Sequence, residues 1–317
     1  MRKAVDQIRV DLQTGQECRH SRLFFDQKSA RLTNLSGVRL LGCRVDTVRQ
    51  LYRGMVRPQV LALFEESGLV SFAGHQWHAG RVSRDSGYQY KLQNNDLGFV
   101  LLLKNFNVKA DVIGAHLKIE VSPHAIQSCP PEVLQEWMDR FAQAALECVE
   151  ANQCAVHLAL DVQGWKPPKD LMDRLLCRAR TRRSITGINE VFYDGEAVSY
   201  GNAQSFLFGS ASGMQLAIYN KSLQAYSIDK LDYWQSVWKT MDNPFAPDDD
   251  QNYDAKAPVW RVELRFHHSI VQQFADGSAC MDTGAMIDSR TYKELAPHLD
   301  GLFQYGLESF RLCSSKG

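Results

Sequence analysis

Two side chains near position 220 could do chemistry together. Tyr219 and Lys221 stand two residues apart at the end of the run Leu216-Ala217-Ile218-Tyr219-Asn220-Lys221. The segment from Ser205 to Lys221 reads as a strand, a Gly/Ser turn (Gly209-Ser210-Ala211-Ser212-Gly213) and a second strand. Alternation along the second strand sends Gln215, Ala217, Tyr219 and Lys221 to one face, and Leu216, Ile218 and Asn220 to the other. A phenol ionises near pH ~10, and a neighbouring ammonium favours the phenolate. An oxygen nucleophile made in this way suits attack on phosphorus. A Tyr/Lys pair of this spacing also occurs on ordinary half-exposed strands, so other groups must decide between the two readings.

Two further strands carry such groups. In Ala155-Val156-His157-Leu158-Ala159-Leu160-Asp161, alternation sets His157, Ala159 and Asp161 opposite Val156, Leu158 and Leu160. In Trp260-Arg261-Val262-Glu263-Leu264-Arg265-Phe266, the polar Arg261, Glu263 and Arg265 oppose Val262, Leu264 and Phe266. With these strands as neighbours of the Tyr219 strand, one polar face would gather Asp161, Glu263, Tyr219, Lys221 and His157. Facing carboxylates repel, and a hard divalent cation, Mg²⁺ or Mn²⁺, would neutralise them. The expected ligands are Asp161 and Glu263, with His157 contributing one more. Such an ion polarises a phosphodiester oxygen while Tyr219 attacks, and Lys221 and Arg261 offset phosphate charge. The competing reading is an exposed ladder of Arg261, Glu263 and Arg265 with a structural His157.

The elements needed to position these groups follow a repeated order. Residues 1–36 are polar and weakly periodic, an N-terminal arm. Gly37 to Val48 reads as a strand leading to a helix over 56–67, opened by Pro58. A hairpin over 86–105, a strand His116–Val121 and a helix from Pro130-Pro131 to about residue 152 complete a first half, 37–153. The second half, 154–275, repeats strand, helix (Pro167-Pro168 to about Arg182), hairpin and strand, and 276–317 is a C-terminal helical segment. Asp46 then parallels Asp161, Leu103 parallels Tyr219, and Lys118-Ile119-Glu120-Val121 parallels Arg261-Val262-Glu263-Leu264. The fold class is α+β: two duplicated halves of antiparallel sheet backed by helices, the second half being the catalytic one.

Composition fits this picture. In 317 residues, hydrophobic content is 44% and charged content 23%, ordinary for a soluble globular chain. No apolar run approaches the ~20 residues of a membrane span, and the N-terminus lacks the apolar core of a secretory signal. Eight cysteines without a Cys-x-x-Cys pair argue against zinc and for a reducing compartment. The 36 basic and 36 acidic residues cancel, which excludes a histone-like binder but not a nucleic-acid enzyme. Arg178, Arg180, Arg182 and Arg183, beside Arg174, form either a phosphate-tracking patch or a solvated helix end.

Ala155 to Asp161, Phe208 to Lys221 and Trp260 to Leu264 resemble, in order and spacing, the replication initiation factor (Rep trans) family. That family includes rolling-circle plasmid initiators, replication proteins of some filamentous phages and relaxases of some conjugative elements. The likeness covers roughly residues 38–275, and Ile218-Tyr219-Asn220-Lys221 with Trp260-Arg261-Val262-Glu263 is its most specific part. It implies a site-specific endonuclease and transesterase that starts rolling-circle replication. Tyr219, matching the family's nucleophile, would become joined to a 5′-phosphate and free a 3′-OH primer; Asp161 and Glu263 match acids assigned to the metal. The implied fold is antiparallel sheet backed by helices, related to rolling-circle nickases. The implied partners are origin DNA (single-stranded, cruciform or supercoiled), a host helicase and polymerase, and no membrane, in the bacterial cytoplasm, with a homodimer left open. A relaxase with the same chemistry and a non-catalytic DNA-binding replication regulator are the alternatives. The sequence departs from related nickases in lacking a His-hydrophobic-His pair: His267 and His268 are adjacent, and His75 and His78 lie in the first half.

Overall fold

The computed structural model describes residues 7–8, 23–26, 31–34, 38–65, 68–168, 170–177, 182–186, 204–210, 212–240, 253–277 and 287–312. In the arm, β1 (Gln7–Ile8), β2 (Leu23–Asp26) and β3 (Arg31–Asn34) form a small antiparallel sheet. The first half contains β4 (Arg39–Val56), α1 (Pro58–Ala62), β5 (Gly68–Phe72), β6 (His75–Arg81), β7 (Tyr88–Asn94), β8 (Phe99–Asn105), β9 (Gly114–Val121), α2 (Pro123–Ser128) and α3 (Pro131–Ala145). The second contains β10 (Leu146–Gln163), α4 (Leu171–Arg174), β11 (Leu175–Cys177), β12 (Arg182–Thr186), β13 (Gln204–Gly209), β14 (Met214–Asn220), α5 (Lys221–Ser227), α6 (Leu231–Lys239), β15 (Trp260–Phe266) and α7 (His268–Gly277). α8 (Tyr292–Leu295), α9 (Leu299–Glu308) and β16 (Phe310–Leu312) follow.

Eleven strands join in one antiparallel sheet in the order β12-β13-β14-β15-β10-β4-β9-β8-β7-β6-β5. The fold is therefore mixed α+β around a large antiparallel sheet. Outward from β10 the neighbours are β15, β14 and β13; outward from β4 they are β9, β8 and β7. The two long central strands pair antiparallel, with His157 opposite Thr47. Leu102, not Leu103, is the cross-strand neighbour of Lys118, as Tyr219 is of Arg261. Asp46 does not repeat the place of Asp161 either, since both reach the same arginine.

One apolar face runs the length of the sheet. Leu101, Leu103, Leu117 and Ile119 meet Leu134, Met138 and Phe141 of α3, and Leu216, Ile218, Leu264 and Phe266 join the same core with Val271 of α7 and Leu302 of α9. Each fully buried Phe or Leu contributes about 2 kcal/mol. α9 presses so closely on β15 that a Cβ at Gly306 would stand 2.6 Å from the Phe266 ring.

Several boundaries differ from the sequence expectation. β4 continues eight residues beyond Val48, because the buried amide of Gln50 is satisfied by the carbonyls of Gln153 (3.1 Å) and Arg290 (2.7 Å). The helix expected over 56–67 is the five-residue α1, and α3 stops at Ala145, where the chain passes directly into the 18-residue β10. The helix expected up to Arg182 shrinks to α4, since Leu175–Cys177 pairs with Phe310–Leu312 and tertiary pairing overrides helical propensity. The β5–β6 hairpin and α6 were not anticipated.

Candidate functional site

The β13–β14 hairpin aims Tyr219. Gly209 closes its turn at φ 101°, and a Cβ there would lie 2.0 Å from the Met214 carbonyl, so only glycine fits. From this hairpin the register carries three rows across β14, β15 and β10: Gln215, Arg265, His157; Ala217, Glu263, Ala159; and Tyr219, Arg261, Asp161. Directly paired residues share a sheet face. The alternation read from sequence thus places Tyr219, Arg261, Glu263, Asp161 and His157 on one side, opposite the main core.

Within that face two charge-paired groups form. The Tyr219 hydroxyl donates to Glu263 Oε2 at 2.7 Å. The other oxygen, Oε1, accepts from Arg265 Nε at 2.8 Å and lies 3.2 Å from His157 Nδ1. Beside them Asp161 is held by a forked pair from Arg261, Nε to Oδ1 at 2.7 Å and Nη2 to Oδ2 at 2.8 Å. Trp238 Nε1 donates to Oδ2 at 2.9 Å, and Arg261 Nη1 contacts Asp46.

Lys221 is not on the strand. Asn220 caps α5 by accepting from the Leu223 amide at 3.0 Å, and the chain turns at that point. The Lys221 ammonium therefore lies 6.0 Å from the centre of the Tyr219 ring and only 4.3 Å from that of Trp234. Arg261 stacks on the same indole at 4.4 Å. Trp234 and Trp238, one helical turn apart on α6, thus lie against the cations and the acid of the lower row. Their i, i+4 spacing is the sequence signal that would have found this helix.

Burial governs the electrostatics. Tyr219 is 6% exposed, and burial followed by the Glu263 charge pushes its phenol well above the ordinary value. Burial alone would raise Glu263 and Asp161, but Arg265 and His157 hold the first carboxyl well below its usual range, and Arg261 and Trp238 hold the second below it. Burial lowers His157 despite its bond to Glu263, so it is neutral and donates from Nδ1. Burial, reinforced by Arg261, depresses Lys221 to about 8.

The expected metal ligands do not converge. Both oxygens of Asp161 are engaged by Arg261 and Trp238, while Glu263 and His157 bond to each other. Among the described residues no three His, Cys, Asp or Glu side chains form a ligand cluster. These residues do not fit Mg²⁺ or Mn²⁺; the carboxylates that seemed to need a cation have Arg261 and Arg265 instead. Arg178 and Arg180 lie outside the described residues, as do the side chains of Arg182 and Arg183, whose backbone belongs to β12 rather than to a helix. No helix among the described residues is long and apolar enough to cross a membrane.

No family model matches the chain, and no solved structure does. An uncharacterized protein of Pseudomonas phage Pf1, ORF430, is 55% identical over 296 residues, 93% of this chain and 69% of the phage protein.

Proposed function

Since the chain belongs to the family of that phage protein, we propose that it is a replication initiator, a site-specific nickase acting on single-stranded DNA through Tyr219. The observation that carries this reading is the 2.7 Å bond from the Tyr219 hydroxyl to Glu263 Oε2, with Arg265 and His157 fixing the other oxygen. A nucleophile bonded to a base, itself oriented by a third group, is the arrangement of covalent catalysis. The phenol oxygen forms a bond to phosphorus as the bond to the 3′ oxygen breaks. The phenol proton passes to Glu263, and the 3′ oxygen leaves as a hydroxyl with a proton from solvent. Arg265 and Lys221 offset charge on the phosphate. No step is routed through a metal ion. Because Tyr219 is only 6% exposed, attack requires the groups that cover it to move aside.

The same burial favours a second reading. With Tyr219 protonated and Asp161 locked to Arg261, the network also suits a DNA-binding replication regulator that makes no covalent bond. Incubating the protein with supercoiled and single-stranded phage DNA, then denaturing it and looking for DNA attached to tyrosine, separates the two. The nickase reading expects an adduct that Tyr219→Phe abolishes while DNA affinity stays within about twofold. Undiminished nicking by Tyr219→Phe would remove this residue from the mechanism, and DNA binding without an adduct in the parent protein would favour the regulator.

A further inference from the structure

Among the described residues the large sheet ends on β12 at one side and on β5 at the other. The two edges differ in sequence. β12 includes Arg182 and Arg183, whereas β5 is Gly68-Leu69-Val70-Ser71-Phe72, without a charge or a proline. Edges that stay free are ordinarily guarded by such residues, by bulges or by a covering segment. β5 pairs with β6 without a bulge, and among the described residues no strand lies along its outer side. Leu69 is 64% exposed.

The hairpin turn decides which backbone groups of β5 face outward. Ala73 and Gly74 both have positive φ, 49° and 83°, as in the two-residue turn that follows a directly bonded pair, here Phe72 and His75. Bonded pairs alternate along an antiparallel ladder, so Val70 bonds to Trp77 and Gly68 to Ala79. Leu69 and Ser71 therefore turn their N–H and C=O groups away from β6, toward the open side. Their side chains are exposed, while on the opposite face Phe72 belongs to the core and Val70 packs against it.

This row of donors and acceptors complements itself. With a two-fold axis at Val70, Leu69 of one copy stands opposite Ser71 of the other, and Ser71 opposite Leu69. Each such pair exchanges both N–H···O bonds, and paired residues keep to the same face. No charge on either strand opposes the approach. On the core side apolar surface continues onto α3, where Trp137 lies 5.4 Å from the His75 ring and Val133, one turn earlier, is 38% exposed.

We infer that β5 is a dimerisation edge: two copies of this chain pair β5 to β5, antiparallel about Val70, and join their sheets into one. The occupant is a second copy because one register satisfies the outward backbone groups of Leu69 and Ser71 on both strands, with uncharged residues throughout. Tyr219 lies on β14, near the far end of each sheet, so the joint is independent of the nickase reading.

Sedimentation of the full chain over a wide concentration range tests this edge. The parent should run as a dimer that dissociates on dilution. Ser71→Pro removes an outward N–H and puts a ring on the free side while leaving the bonds to β6 in place. It should weaken association by about a hundredfold or more. Leu223→Lys, at an exposed apolar position on α5, is the control and should leave association unchanged. Val70→Cys tests the register without weakening the joint. Opposed Cα atoms of an unbonded pair stand ~4.5 Å apart, within disulfide reach, so oxidation should link position 70 of the two copies, as peptide mapping would show. A parent that stays monomeric throughout, or a dimer that survives Ser71→Pro, would overturn the edge, as would equal loss of association in Leu223→Lys. A dimer whose oxidised Val70→Cys form lacks the link between the two positions would overturn pairing about Val70.

Discussion

Asp161 and Arg261 face each other from β10 and β15, both carboxylate oxygens meeting two nitrogens of one guanidinium at 2.7 and 2.8 Å. The pair is fully buried. Asp46 from β4 and the indole N–H of Trp238 complete its bonds, so four separate elements converge on it. Acids that repel on a sheet face must be neutralised, and here the cations are side chains of the chain itself. Glu263 and Arg265 repeat the solution one row away. The two pairs differ in what remains: Glu263 keeps one oxygen for a phenol, whereas Asp161 keeps none.

A structural role for Asp161 follows. Asp161→Ala strips Arg261 of its forked partner while leaving it buried, and losing one member of a buried pair costs about 3–5 kcal/mol. Chemical denaturation should show that loss with an unchanged m-value. A loss below about 1 kcal/mol would mean that Asp46 compensates and that Asp161 is free for other work.

The alternating strands were legible because one face of each is apolar: the parity of Tyr219, Arg261, Glu263 and His157 could be read directly from Val156, Leu158, Ile218 and Leu264. What alternation could not supply was the partner across each strand, since register depends on neighbours distant in sequence. Placing Tyr219 opposite Arg261 and Arg261 opposite Asp161 turned an expected ion site into ion pairs. Lys221 was misplaced because Asn220, a good cap, ends the strand one residue earlier than alternation suggested. α6 was missed although Trp234 and Trp238 are one turn apart; nothing local indicates that their indoles would lie against Arg261 and Asp161. The strand expected to end at Val48 runs on to Val56, and the polar Gln50 within it finds partners only from afar, the carbonyls of Gln153 and Arg290.

Glu263→Gln separates proton acceptance from positioning. The amide keeps an oxygen for the Tyr219 hydroxyl but has little basicity, so adduct formation should slow by about 10²–10⁴-fold. Oligonucleotide affinity should change by less than about threefold, because the removed charge is buried behind Arg265. A rate within about twofold of the parent protein would exclude Glu263 as the base.

Mg²⁺ and Mn²⁺ should leave the melting temperature unchanged, and a chelator should do the same. An ion bound only by the native fold stabilises it in proportion to its occupancy. With Asp161 engaged by Arg261 and Trp238 there is no such gain. A rise in Tm with either cation, lost in Asp161→Asn, would show that the carboxylates can exchange their arginines for an ion.

Lys221 makes stability depend on alkaline pH. Its folded-state value of about 8 lies below the ordinary 10.5, first because it is buried and second because Arg261 is near. Between those values the unfolded chain binds more protons than the folded one, so folding stability rises as pH increases through this window. Below about pH 8 the buried ammonium carries its full desolvation cost, about 3 kcal/mol at 1.36 kcal/mol per unit. Its contact with Trp234 offsets about 1–2 kcal/mol of that. Lys221→Met should therefore be more stable than the parent by about 1–2 kcal/mol at neutral pH, with the difference fading as pH approaches 10. Denaturation of both proteins across that range checks the sign, and a variant less stable at neutral pH would show that the ammonium contributes more through its indole contact than burial removes.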